Sequence, residues 1–141
     1  MFFSESEYKI DEKGRIPIPP RFRNELKPGM VLTPGVEKCV IVYPVAEWKI
    51  LATSLTTGSV TSNKLRRLNR AFFATAFSLS LDNHGRIAIP APLREYADIE
   101  DEVVIAGANT YFELWNKNLW EQEKATSQEQ AWQIIESMER H

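Results

Sequence analysis

The sequence is poor in the residue types from which catalytic and metal sites are usually built. Its 141 residues include one cysteine and two histidines, so no disulfide can form within the chain. Cys39, His84 and His141 have no metal-ligand spacing and no neighbouring base that would activate a nucleophile. Cys39 lies in the apolar run VEKCVIVY, where we expect a small buried side chain. We therefore predict that the protein is not an enzyme and needs neither metal nor cofactor.

Long apolar runs are missing as well. Hydrophobic residues make up 43% and charged residues 26% of the chain, a composition typical of soluble globular proteins. No apolar run approaches the roughly 20 residues that a membrane helix needs. The N-terminal stretch MFFSESEYK lacks the basic flank and apolar core of a signal peptide. We expect a cytoplasmic protein with no membrane partner and no small-molecule substrate.

The chain has no large excess of either charge, but its basic and acidic residues are unevenly distributed along the sequence. The formal net charge of −2 argues against a nucleic-acid partner, because such proteins usually carry a basic footprint. Residues 1–94, however, hold 14 Lys and Arg against 8 Asp and Glu, whereas residues 95–141 hold 3 against 11. A nucleic-acid-binding surface is therefore compatible with this chain if the two regions face different ways.

The sequence contains one thirteen-residue motif twice. DEKGRIPIPPRFR, residues 11–23, returns as DNHGRIAIPAPLR, residues 82–94. Both copies keep Asp, Gly-Arg-Ile, Ile-Pro and the final Arg. A sequence that repeats itself at this period indicates a repeat architecture.

The similarity of the two copies extends beyond the motif with a shift of 72 residues. The aromatic residues that correspond in this register are Tyr43 with Trp115 and Trp48 with Trp120. We expect these four side chains to anchor the core. The predicted organisation is a first repeat at 5–49, a linker with a basic helix at 50–75, a second repeat at 76–121 and a helical tail at 122–141.

Each copy of the motif is predicted to form a strand, a tight turn and a second strand. Apolar residues alternate with polar or small ones on both sides of the first turn, residues 11–14, as in half-buried strands. Gly14 can adopt a positive φ, and Asp11 can accept hydrogen bonds from the backbone of the turn. Pro17 lacks an amide donor, so the second strand should lie at a sheet edge or have that position facing outward. A short helix is expected at Arg21 to Leu26.

Similar patterns predict the remaining elements. The predicted strands are 30–33, 39–43, 102–106 and 111–115, and the predicted helices are 45–55, the second half of the linker and the tail from 116 to 141. The linker TTGSVTSNKLRRLNRAFFATA begins as a loop, and Thr61 or Ser62 should cap its helix. Leu65, Leu68 and Phe72 share one face of that helix.

The linker helix also carries four basic residues with no acidic residue among them: Lys64, Arg66, Arg67 and Arg70. A solvated face is the favoured interpretation of this run, and contact with nucleic acid is the alternative. The tail has a thin apolar stripe of Trp132, Ile135 and Met138, which indicates that it packs against a partner.

The basic residues of the two motifs are the candidate contacts to nucleic acid. Arg can bind phosphate or a guanine edge in a bidentate way, and Lys acts as a point charge. The candidates are Lys13, Arg15, Arg21 and Arg23 in the first copy and His84, Arg86 and Arg94 in the second. The first copy has more charge, so we favour it for the deeper contact.

Four further residues of the motifs are assigned to the structure of the turns: Asp11, Gly14, Asp82 and Gly85. Asp and Arg four residues apart can form an ion pair across each turn. A surface pair of this kind contributes only about 0 to 1 kcal/mol. We favour a turn-stabilising role for the aspartates and a binding role for the arginines.

The doubled D-x-x-G-R-I-x-I-P string followed by Arg, with Tyr-Pro-x-x-x-Trp closing the first half, resembles the MraZ family. Each half is similar to a SpoVT/AbrB-type domain, and the resemblance covers about residues 1–121. It implies a mainly β fold with helices (α+β), in which the two repeats form a pseudo-dimeric, swapped-hairpin β-barrel. The resemblance also implies that Asp11, Arg15, Asp82 and Arg86 are the residues of the family's motif. Lys13 then occupies the basic position of the first turn.

The resemblance implies a function too. Members of such a family are sequence-specific DNA-binding regulators of transcription, usually repressors of a division and cell-wall gene cluster. They bind short direct repeats in double-stranded DNA as homo-oligomeric rings and are cytoplasmic and nucleoid-associated. A protein-interaction module of the AbrB type, such as the antidote of a toxin pair, is the alternative. An enzyme is the least favoured interpretation, because the chain supplies no nucleophile or metal cluster.

Overall fold

The computed structural model describes residues 1–56 and 61–139. The predicted linker loop at 57–60 and the last two residues of the predicted tail lie outside these residues. The strands are β1 (Glu5–Lys9), β2 (Arg15–Pro17), β3 (Met30–Pro34), β4 (Val40–Pro44), β5 (Phe77–Leu79), β6 (Arg86–Ala88), β7 (Glu102–Gly107) and β8 (Phe112–Asn116). The α-helices are α1 (Pro20–Arg23), α2 (Val45–Thr56), α3 (Ser62–Asn69), α4 (Ala91–Tyr96) and α5 (Lys117–Glu139).

The local elements agree with the sequence patterns. The predicted helix at 21–26 is an α-helical turn that continues as a 3-10 turn, Asn24–Leu26. Thr61 caps α3 by accepting a hydrogen bond from the Lys64 amide. The linker helix then ends in a π-helical turn, Arg70–Ala74, which the sequence pattern did not predict. Within the described ranges, no helix combines the length and apolarity needed to cross a membrane.

The two repeats exchange strands in the main sheet. This six-stranded antiparallel sheet has the order β1-β7-β8-β4-β3-β5. β1, from the first repeat, pairs with β7 of the second, and β5, from the second, pairs with β3 of the first. The two repeats therefore share one sheet instead of forming two separate ones.

The second strands of the two motifs pair with each other. β2 and β6 form a separate two-stranded antiparallel ladder, in which Ile16 lies opposite Ile87. Among the described strands, each strand of the ladder pairs on one side only, and this accommodates Pro17 at an edge, one of the two predicted arrangements. The turns that precede β2 and β6 lie at the two ends of this ladder.

The sheet has different layers on its two faces. The larger core joins one face of the sheet to the ladder and to α1 and α4, and it contains Ile16, Phe22, Ile87 and Leu93. On the other face, Trp115 packs with Cys39, Leu119 and Trp120 beneath the start of α5. The ladder and the acidic helix α5 therefore lie on opposite sides of the sheet.

The core assignments made from the sequence are confirmed in part. Cys39 is fully buried and Trp115 nearly so. Tyr43, Trp48 and Trp120 are half-buried and contact other aromatic rings at the margins of the sheet. They are thus peripheral aromatic contacts, because the centre of the core is filled by aliphatic side chains and phenylalanines.

The α+β class is confirmed, but a closed barrel is not. Among the described residues the six-stranded sheet ends at β1 and β5, and these two strands do not pair with each other. The ladder is a separate sheet. The architecture is therefore an open sheet with a short ladder packed on one face, and exchange of the first strands links the repeats.

Candidate nucleic-acid interface

The first turn is organised by the carboxylate of Asp11. Its Oδ1 accepts hydrogen bonds from the amides of Lys13 and Arg15 at 2.9 and 2.8 Å, and its Oδ2 accepts one from Nε of Arg15 at 2.7 Å. Gly14 has φ 77°, a conformation that favours glycine. One side chain therefore holds both the backbone of the turn and the arginine that follows it.

The second turn repeats this arrangement. Asp82 accepts from the amides of His84 and Arg86 at 2.8 and 2.9 Å and from Nε of Arg86 at 3.0 Å. Gly85 has φ 71°. The predicted hydrogen bonding of the turn backbone by Asp11 is confirmed, and Asp82 does the same in the second copy. Keeping Asp, Gly and Arg in both copies therefore preserves one local geometry.

The aspartates of the turns should titrate below their usual range. Hydrogen bonds from the backbone amides, that of Arg15 above all, lower the pKa of Asp11 from 3.8, and the Arg86 amide does the same for Asp82. A lowered folded-state pKa contributes stability that is present above the unfolded value and lost as pH falls through the folded one. We predict carboxyl titration midpoints below 3.8 for both residues by NMR. Midpoints at or above that value would contradict the hydrogen bonding described.

Arg15 and Arg86 lie on the same outward face of the ladder. Arg15 stands opposite Ala88, and Arg86 opposite Pro17, while the intervening isoleucines point into the core. Residues in this diagonal relation are about 7–8 Å apart. Each arginine side chain is 30% exposed. The two guanidinium groups therefore share one solvent-facing surface.

The aspartates leave part of each guanidinium free. The ion pairs of Arg15 and Arg86 use Nε, and no hydrogen bond within residues 1–56 and 61–139 engages the Nη atoms of either residue. A guanidinium held at Nε keeps its two terminal nitrogens for an external acceptor, with its plane already fixed. This arrangement suits a phosphate or the edge of a base.

The tips of the turns add exposed basic side chains at either end of this surface. Lys13 and His84 are both exposed. The Ile89 amide donates to the carbonyl of Gly14, and the Ile18 amide to that of Gly85, so the two turn glycines are four residue steps apart along the ladder. At about 3.3 Å per residue, the turns are roughly 13 Å apart.

The remaining candidates from the motifs have other surroundings. Arg21 is exposed, and its guanidinium lies 4.9 Å from the ring centre of Phe22. Its Nη2 is 3.5 Å from the carbonyl oxygen of Phe3 and 3.4 Å from Oγ of Ser6. Arg23 and Arg94 are half-buried, and each lies against the glycine of the other repeat's turn. This contact between repeats was not predicted from the sequence, although the Gly-to-Arg spacing is the same in both copies of the motif.

The separation of charge in space is partial. The basic side chains of α3 are exposed, which fits both a solvated face and a contact with nucleic acid. The acidic helix α5 lies across the sheet from the ladder, as the charge split requires. The acidic loop Asp98–Glu102, however, lies beside the first turn, because the carbonyl of Asp101 accepts the Ile10 amide at 2.7 Å. The second turn has no such acidic neighbour in the equivalent loop, Lys27–Gly29.

Comparison with known proteins gives a consistent family assignment. A family model described as "MraZ protein, putative antitoxin-like" matches residues 1–71 and again residues 72–138. The Transcriptional regulator MraZ of Dehalococcoides mccartyi is 57% identical over 142 aligned positions, which cover 100% of each chain. The proteins of that name from Roseiflexus castenholzii and Halothermothrix orenii are 43% and 41% identical, covering 86% and 99% of this chain and 85% and 97% of their own. Both repeats, with their arginine-bearing turns, fall within the matched residues, and the chain belongs to the MraZ family.

Proposed function

We propose that the protein is a sequence-specific DNA-binding regulator of transcription, acting as a repressor of a division and cell-wall gene cluster. Its relatives are named transcriptional regulators, which supports the regulatory role. The structural observation that supports DNA binding is the shared outward face of Arg15 and Arg86 on the ladder. In this proposal, each repeat supplies one arginine-bearing turn to a single binding surface.

The dimensions of the ladder suit a DNA groove. The major groove of B-DNA is about 12 Å wide and admits a two-stranded β-ribbon. The two turns, roughly 13 Å apart along the ladder, can reach phosphates on both sides of such a groove. Arg15 and Arg86, between the turns, then face the base edges or the nearer phosphates. Lys13 and His84 contribute at the tips, and Arg21 at the margin.

Oligomerisation explains how a chain with a net charge of −2 could bind DNA. One copy presents few cations, but linked copies bind through a high effective concentration, and their weak contacts combine. Copies arranged in a ring can meet successive major grooves about 10 base pairs apart. This geometry favours direct repeats over palindromes. The proposal therefore includes a ring. In it, the two repeats, 5–49 and 76–121, bind DNA. The linker, 50–75, and the tail, 122–141, form contacts between subunits.

The test of this function is a DNA-binding assay in which the direct repeats of the DNA fragment are present or scrambled. We expect the protein to retard a promoter fragment that carries short direct repeats more strongly than a fragment of equal length with the repeats scrambled. Affinity should fall steeply with salt, because each phosphate contact releases a counterion. The mass of the native particle, free and with DNA, should correspond to a multimer. Equal binding to both fragments, or none, would contradict the proposal.

A second candidate function is an antidote-like protein module. The family description includes the word antitoxin, and α5 exposes Trp132 and Met138, at 73% and 70%. Such a surface could dock a protein partner. This function predicts a stable complex with a second protein and no preference among DNA fragments, so the assay above distinguishes the two candidates.

A further inference from the structure

Arg23 and Arg94 each cross from their own repeat to the turn of the other. A Cβ atom built on Gly85 would stand 2.4 Å from Cζ of Arg23, and one built on Gly14 would stand 3.0 Å from Cζ of Arg94. Such distances are shorter than van der Waals contact, so the guanidinium groups occupy space that only glycine leaves open. The contact is reciprocal between the repeats.

The ladder holds the same two glycines from another side. The carbonyl oxygen of Gly85 accepts the Ile18 amide at 2.9 Å, and that of Gly14 accepts the Ile89 amide at 2.8 Å. Arg23 is itself fixed, because its Nε donates to the carbonyl oxygen of Ile18 at 2.8 Å. The turn of the second repeat is therefore held between a strand and an arginine that both belong to the first.

The surroundings of the two arginines indicate a packing role in the turns, because each guanidinium lies against a turn glycine of the other repeat. Both are half-buried, whereas Lys13 and His84 at the tips of the turns are exposed. Nε of Arg94 is buried and has no hydrogen-bond partner among the described residues, so it cannot reach an acceptor in solution. Nε of Arg23 donates to the carbonyl oxygen of Ile18, which fixes the side chain against the turn. A planar guanidinium lying on a glycine is suited to packing the turn.

We propose that Arg23 and Arg94 are positioning residues, each of which fixes the DNA-contacting turn of the opposite repeat. Arg23 holds the turn Asp82–Arg86, and Arg94 holds the turn Asp11–Arg15. The positioning itself is a property of the free protein, and only its consequence for binding rests on the proposed function. Two measurements, one without DNA and one with it, therefore test the two claims separately.

The measurement without DNA is amide hydrogen exchange in the turns. Arg23→Ala should accelerate exchange of the His84 and Arg86 amides about tenfold, while leaving those of Lys13 and Arg15 unchanged. Arg94→Ala should have the opposite pattern. Arg23→Lys should behave like Arg23→Ala, because lysine keeps the charge but lacks the planar group. Acceleration in both turns at once, or in the turn of the mutated repeat, would overturn the inference whether or not the protein binds DNA.

The measurement with DNA is a double-mutant cycle. Arg23→Ala should weaken binding about tenfold in the wild-type background and have little further effect when Arg86 is already alanine, because both changes act through one turn. Combined with Arg15→Ala, its effect should be additive. Additivity in both combinations would mean that Arg23 contacts DNA itself, and the inference would be wrong. If the wild-type protein binds no DNA, the proposed function fails, and the exchange pattern alone decides the inference.

Discussion

Replacing Arg15 and Arg86 together by alanine is expected to weaken binding to repeat-bearing DNA by at least about 30-fold, because each bidentate arginine contact contributes about 1–3 kcal/mol. The two side chains share the outward face of the ladder. The slope of log affinity against log salt should also become shallower, by about 0.9 for each phosphate that the variant no longer neutralises. Titration of labelled DNA at several salt concentrations measures both quantities.

The fold should survive this double substitution. Both side chains lie outside the core, and surface ion pairs of the Arg15–Asp11 kind contribute at most about 1 kcal/mol. The matched control is Lys38→Ala with Lys49→Ala, which removes two positive charges from exposed positions outside the ladder. We expect that control to change affinity by about twofold, as loss of long-range attraction alone would. Equal losses in the two double variants would show that binding depends on net charge and not on the ladder.

Phe2→Ala is expected to lower the free energy of unfolding by about 3–5 kcal/mol, the usual cost of emptying a buried phenylalanine site. Phe2 is 1% exposed, and its ring packs against Phe22 and Phe112 with centroids 4.9 and 5.1 Å away. Its backbone amide and carbonyl pair with Asn109, so the substitution also weakens the attachment of the N-terminal segment. Urea denaturation followed by fluorescence measures the change.

The neighbouring residue provides the control for this prediction. Phe3 is 59% exposed, so Phe3→Ala should change the free energy of unfolding by no more than about 0.5 kcal/mol. If the two variants were destabilised equally, the N-terminal segment would not be packed in the core as described. Phe2 was not predicted as a core residue from the sequence, because it precedes the first strand and belongs to no periodic pattern.

Local structure could be predicted from this sequence, because it depends on neighbouring residues. The turn at Asp11–Gly14 follows from a carboxylate that can bond the backbone ahead of it and a glycine that can adopt positive φ. The pairing of β1 with β7 could not be predicted from periodicity, because apolar alternation shows that a strand has one buried face and does not identify its neighbour. The closed barrel was expected from the family resemblance and not from periodicity, and among the described residues the six-stranded sheet ends at β1 and β5 instead.

The candidate site was predicted as a set of residue types and not as a surface. Arg15 and Arg86 were identified from the repeated motif, but their common face follows from the antiparallel register of β2 and β6. Arg23 and Arg94 were assigned to DNA contact from charge alone. Their placement across the other repeat's glycines depends on how α1 and α4 pack, which is a tertiary property. The position of the acidic loop beside the first turn could not be predicted either, because it also depends on tertiary packing.

The exchange of first strands has a consequence for how the molecule assembles and comes apart. β1 is hydrogen-bonded to β7, nearly a hundred residues away along the chain. Pairing at such a separation requires a large loop to close, and the entropy cost of closure precedes the stabilising contacts. This slows folding. They also make the two halves one cooperative unit, since either half on its own would leave a strand behind in the other's sheet. Loss of the β1–β7 pairing would open both repeats together.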